Sequence, residues 1–148
     1  MNVLGGQCEP ITTPLCKTIH YNMTQFPNIL GHETQTDAGI DIQTYHPLVK
    51  INCSPSLRLF LCSLYLPVCS AGPIKPPCRS LCVKARSGCE QLMVRFGHEW
   101  PDHMSCDRFP ESPNPNVCIN SPSEYLLVEH SVSSQPTAAL STRTPGWW

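Results

Sequence analysis

The sequence contains no run of about 18 apolar residues, the length a transmembrane helix needs, so no such helix is expected within it. It has no polybasic tract. Arg58, Lys75, Arg79, Lys84, Arg86 and Arg95 are scattered, and the formal net charge is −1. That argues against nucleic acid as a partner. Glycine-rich phosphate loops, G-x-S-x-G and H-E-x-x-H are all absent, and the carboxylates are dispersed, so no catalytic constellation stands out. Aromatic residues make up only 7% of the chain. The opening MNVLGGQ is too short for a signal peptide. Cysteine is lacking too, but only after position 118.

Before that position cysteine is abundant. All ten cysteines lie between Cys8 and Cys118. An even number at this density reads as a disulfide framework made in an oxidising compartment. Spacing alone leaves about 945 pairings open. Extracellular cysteines without a signal segment imply that the chain is a piece of a longer secreted or membrane-attached protein.

Residues 8–31, rich in Pro, Thr and Asn, read as irregular structure with short β segments. Thr34 to Asp37 fits a capping box, followed by Ala38, Ile42, Tyr45 and Val49 at helical spacing; Pro47 should kink or end that helix. Ser54 as N-cap and Pro55 at the first position open a second helix, with Leu57, Phe60, Leu61, Leu64 and Tyr65 on one face and Pro67 closing it. Pro76 and Pro77 open a third. There Cys78, Cys82, Ala85, Cys89, Leu92, Met93 and Phe96 fall on one face, and Gly97 can cap the end. Composition then shifts: residues 120–148, rich in Ser, Thr and Pro, read as a flexible linker after a domain over 8–119.

Several motifs have to be weighed. Cys78-x₃-Cys82 is a loose zinc pair, but no second pair converges on it, and His98 and His103 lack ligand spacing; no metal or other cofactor is expected. Cys89 to Arg95 spells C-x₅-R, and Trp100-Pro101-Asp102 spells a phosphatase acid loop. A phosphate nest needs curled backbone N–H groups, whereas residues 90–94 continue a helix, and a bridged sulfur is no nucleophile. The reading is a binding module, not an enzyme. Asn22-Met-Thr24 is an N-glycosylation acceptor expected to be used. Asn52-Cys53-Ser54 also fits, but a disulfide at Cys53 would compete, so it is expected to stay mostly unused.

The segments CEPITTPLC, YNMTQFPNILGHETQTDAG, PLVKINCSPSLRLFLCSLYLPVC, PPCRSLCVKARSGC and WPDHMSCDRFP resemble the cysteine-rich domain of Frizzled receptors, with all ten cysteines in register from Cys8 to about Ile119. His98 departs from typical Frizzled receptors, which carry an aromatic there; secreted Frizzled-related proteins often carry His. The resemblance implies a mainly α fold, a small disulfide-rich helical bundle with a minor β element. It implies the pairs Cys8–Cys69, Cys16–Cys62, Cys53–Cys89, Cys78–Cys118 and Cys82–Cys106. It implies Wnt proteins as partners, their acyl chain lying in an apolar groove of Tyr45, Pro47, Leu92, Met93, Phe96 and His98, with a second Wnt contact at Val68 and Ile119.

On periodicity alone, Leu92, Met93 and Phe96 would be core; the resemblance assigns Tyr45 and Phe96 to the groove instead. A homodimer is a further expected partner state. The chain is then the extracellular part of a plasma-membrane receptor, attached through a transmembrane domain outside it, or a secreted decoy that sequesters Wnt. A sterol, as for the related Smoothened domain, is a more distant ligand class.

Overall fold

The computed structural model describes residues 7–121. The expected linker over 120–148 therefore lies, beyond Ser121, outside the described residues. Four α-helices dominate: α1 (Gln35–Ile42), α2 (His46–Ile51), α3 (Leu57–Tyr65) and α4 (Arg79–Arg95). Two short antiparallel strands, β1 (Glu9–Pro10) and β2 (Met23–Thr24), pair with Glu9 opposite Thr24. Thr24 also bridges Val68, so the β element ties the N-terminal segment to the chain leaving α3. This is the mainly α, disulfide-rich bundle with a minor β element that the sequence analysis anticipates.

Each helix boundary has a local cause. Thr34 caps α1, its hydroxyl accepting from the Asp37 N–H at 3.2 Å. A 3₁₀ turn over Gln43–Tyr45 separates α1 from α2, and Pro47 lies in the first turn of α2. Proline has no N–H and its ring crowds the carbonyl four residues back, so the α1 ladder cannot run through it. Asn52 ends α2 in the left-handed conformation, at φ 62°.

The start of α3 differs from expectation. Ser54 does not cap it. The Ser54 hydroxyl oxygen accepts from the Ser56 N–H at 3.1 Å, its proton goes to the Lys84 carbonyl at 3.0 Å, and the helix begins at Leu57. The bond to α4 holds Ser54 and Pro55 in a turn ahead of the helix.

The core lies between α3 and α4. Leu57, Phe60, Leu61 and Leu64 meet Leu81, Cys82, Ala85 and Cys89, all at most 1% exposed. Phe60 stacks on Trp100 at 5.9 Å and takes Phe109 edge-on at 5.8 Å, which draws the C-terminal loop onto the same core. Trp100 donates its indole N–H to the Met104 carbonyl at 2.6 Å, so its polar edge is satisfied within the apolar centre.

The disulfides run Cys8–Cys69, Cys16–Cys62, Cys53–Cys89, Cys78–Cys118 and Cys82–Cys106. Among the described residues no cysteine is free. Their sequence separations, from 24 to 61 residues, make each a long-range staple. In the chain-entropy account, closing loops of that length is worth roughly 4 kcal/mol apiece.

Gly88 shows how tightly one staple is set. A Cβ there would stand 2.5 Å from the Cys53 carbonyl oxygen and 2.8 Å from Ser54 Cβ. On an open helix face, Gly→Ala stabilises by about 1 kcal/mol. Here the sign should reverse: Gly88→Ala should lose about 1–3 kcal/mol, because backbone must move to admit a methyl group. Denaturant unfolding of the two proteins measures it, and a gain in stability would show that α4 does not press on the Cys53 turn.

Candidate functional site: an apolar groove between two helix ends

The break before α2 and the end of α4 face each other across a cavity of about 340 Å³. Thr44, Tyr45, Pro47, Leu48 and Ile51 form one wall; Met93, Phe96, His98, Glu99 and Pro101 form the other. The second wall exists because α4 stops. Phe96 follows its last turn and Gly97, at φ +84°, reverses the chain. A positive φ at that position is the usual glycine termination of a helix. Phe96 keeps the helical register, its N–H meeting the Leu92 and Met93 carbonyls, yet it is 63% exposed whereas Met93 is 5%. Across the cavity Ile51 is 56% exposed. Two large apolar side chains thus stand in solvent on opposite rims.

The residues named from sequence divide as follows. Tyr45, Pro47, Met93, Phe96 and His98 come together around the cavity. Leu92 is not among the lining residues; it packs, half-buried, against the core. The periodicity reading of Phe96 as core is corrected: it stays in helical register at the end of α4 but is 63% exposed, since among the described residues no other segment covers that end of the face. Leu48 and Ile51 were not anticipated, although Pro47, Leu48 and Ile51 follow the helical spacing that marks one face.

Val68 and Ile119 lie elsewhere. Val68 is half-buried beside Thr24, whereas Ile119 is 7% exposed and pairs with the Pro77 segment. Ile119 accepts from the Cys78 N–H and donates to the Pro76 carbonyl, both at 2.8 Å, beside the Cys78–Cys118 bond.

A polar network backs the Tyr45 wall. Tyr45 lies 6.3 Å from Tyr65 between ring centroids, and Tyr65 hydroxyl is 3.0 Å from His103 Nε2. Burial pushes the Tyr45 hydroxyl above its ordinary pKa, against the Tyr65 hydrogen bond, so the groove wall stays neutral. Behind them Asn28 is held in one orientation. Its carbonyl accepts from the Leu30 and His32 N–H groups, and its amide donates to the Tyr65 carbonyl. The same amide nitrogen faces His32 Nδ1 at 3.0 Å, which makes Nδ1 an acceptor and leaves Nε2–H for Asp41 at 2.6 Å. The tautomer follows from the partners.

The phosphatase-like pattern dissolves in three dimensions. Cys89 is bonded to Cys53 in the middle of α4, and Trp100 is buried in the core. No backbone nest can form around Cys89 in a continuous helix.

A model of the Fz domain matches residues 8–113. The chain belongs to the Fz-domain family. As a Frizzled-type cysteine-rich domain it is 50% identical over 115 residues to Frizzled-1 of Xenopus laevis, an alignment covering 77% of this chain and 21% of that protein. The chain thus spans about a fifth of that relative's length. The solved cysteine-rich domain of Smoothened superposes with a TM-score of 0.56 at 26% identity, covering 73% of this chain and 96% of that one. The Xenopus Smoothened domain in complex with cyclopamine gives 0.55 at 26%, covering 72% and 96%.

Frizzled cysteine-rich domains are extracellular receptor modules, not known as enzymes, which suits ten bridged cysteines. Among the described residues no helix is long and apolar enough to cross a membrane.

Two histidines, His103 beside Tyr65 and His20 in a separate cavity, bind protons less readily than free imidazole. His20 is held below its reference value of 6.5 by burial, and His103 by burial and then by Arg108. A folded-state value below the unfolded one means the unfolded chain takes up protons first on acidification. Stability is therefore intact above about pH 6.5 and declines as pH falls from there toward the depressed values. The melting temperature should drop between pH 7 and pH 5, and more shallowly in a His20→Asn/His103→Asn double variant. Equal slopes would remove these two groups as the cause.

Proposed function

We propose that this domain captures Wnt proteins by taking their acyl chain into the groove between α2 and the end of α4. The observation that carries the reading is the pair of exposed apolar rims, Phe96 and Ile51, over an apolar cavity of about 340 Å³. Burying about ten methylenes is worth about 8 kcal/mol gross, which corresponds to micromolar affinity before ordering costs. A neutral Tyr45 on the wall places no charge against the lipid. The second Wnt contact is assigned to Val68 and Ile119, where Val68 offers side chain and Ile119 chiefly its edge. The same apolar rims would serve a homodimer, which acyl binding would then displace. Capture by the groove is common to a plasma-membrane receptor, where it initiates Wnt signalling, and to a secreted decoy, where it does not.

Phe96→Glu is the sharpest test, because the side chain is already in solvent and the substitution leaves the core untouched. A carboxylate facing a buried acyl chain costs several kcal/mol, so affinity for acylated Wnt should fall by about 100-fold or more. Affinity for acyl-free Wnt should not change. Surface plasmon resonance with both ligands, and circular dichroism of the variant, decide it. A folded variant that holds acylated Wnt as tightly as the parent would exclude the groove.

Asn22 is exposed beside β2 and is proposed to carry an N-glycan. Intact mass of protein from a secretory host should fall on glycosidase treatment, and an Asn22→Gln variant should lack one oligosaccharide that the parent carries.

A further inference from the structure

Two Asn-x-Ser/Thr triplets occur within the described residues, Asn22-Met-Thr24 and Asn52-Cys53-Ser54. In the folded domain the second is shut. Ser54 is 5% exposed and its hydroxyl is engaged with the Lys84 carbonyl and the Ser56 N–H. Cys53 is bonded to Cys89, under the close approach of Gly88. The first triplet is shut as well: Thr24 is fully buried and its hydroxyl donates to the Pro67 carbonyl at 2.7 Å. Burial of the hydroxyl residue therefore does not separate the two. Either triplet can be read only before its segment folds.

The acceptor side chains are also alike. Asn52 is exposed, and no hydrogen bond holds its side chain among the described residues. It caps α2 in the left-handed conformation, which asparagine tolerates and which turns the residue outward from the helix end.

We propose that Asn52 is a second N-glycan acceptor, modified while Cys53 is still a thiol. The Asn52 amide nitrogen attacks the anomeric carbon of a lipid-pyrophosphate-linked oligosaccharide. A C–N bond forms, the bond from that carbon to the pyrophosphate oxygen breaks, and the amide loses one proton as the lipid pyrophosphate leaves. No electron is gained or lost.

Chain order gives the reaction its opening. Cys89 lies 36 residues after Cys53. At about 5–20 residues per second, it is synthesised roughly 2–7 s later. Cys8 and Cys16, already made, have their own partners in Cys69 and Cys62, which also come after Cys53. Disulfide formation itself takes seconds or longer. Transfer and bridge closure thus compete on one timescale, and the triplet closes for good once Cys53 meets Cys89.

Asn52 also lines the mouth of a second cavity, about 580 Å³, with Thr18, His20, Arg58 and Leu59. A glycan rooted there covers that polar cavity.

The test uses the whole chain secreted from cultured animal cells. Peptides are deglycosylated enzymatically in heavy-oxygen water, and each Asn-to-Asp conversion is counted, with Asn22 as an internal comparison. Asn52 should be occupied in about half of the molecules. A pulse of reductant during synthesis, which delays the Cys53–Cys89 bond, should raise that about twofold. Asn52→Gly keeps the left-handed turn and should remove one glycan without loss of secreted protein. Asn52 unmodified with and without reductant overturns the proposal; partial occupancy that reductant does not change overturns its timing. Neither readout involves Wnt, so the groove reading stands or falls separately.

Discussion

The structure hangs on one face of α4. Cys78, at its N-cap, and Cys82 and Cys89, within it, bind Cys118, Cys106 and Cys53, so three separate segments are fastened to a single helix. Between the cysteines, Leu81 and Ala85 fill the contact with α3. A domain with few aromatics and short helices buries too little apolar surface to fold with much margin. Staples that restrict the unfolded chain supply what the core does not. The glycine at position 88 belongs to this arrangement, since only a residue without Cβ lets the Cys53 turn lie against the helix.

The groove is a consequence of the same anchoring. The Cys53–Cys89 bond sets the end of α2 against the C-terminal half of α4. Pro47 breaks the α1 ladder and Gly97 ends that of α4, so one face of the short α2 stands opposite the end of α4. Tyr45 is kept in place by Tyr65, which in turn is braced through Asn28, His32 and His103. The apolar slot is therefore backed by a satisfied polar network, a stiffer support than packing alone where every member has its partner.

Much of this was readable in the sequence because its signals are local. Thr34 as a cap, the apolar stripe of α3 and the cysteine stripe of α4 all depend on spacing within one helix. Tyr45, Pro47, Met93, Phe96 and His98 were named from resemblance, not from spacing. Leu92 was placed in the groove by the same resemblance, yet it packs on the core. Met93 belongs to the same core and also reaches the cavity, whereas Leu92 does not line it.

The sequence by itself determined the compartment, the helical class and the family, because cysteine content, periodicity and the register of ten cysteines survive without coordinates. Only the tertiary structure decided which apolar residues are core and which are surface. Phe96 continues the buried stripe on paper and keeps its helical register, but no distant segment among the described residues covers it and it is 63% exposed. The start of α3 was decided the same way, by a hydrogen bond from Ser54 to a carbonyl 30 residues downstream. Periodicity describes one segment at a time, whereas exposure depends on what another segment, distant in the chain, is brought to cover.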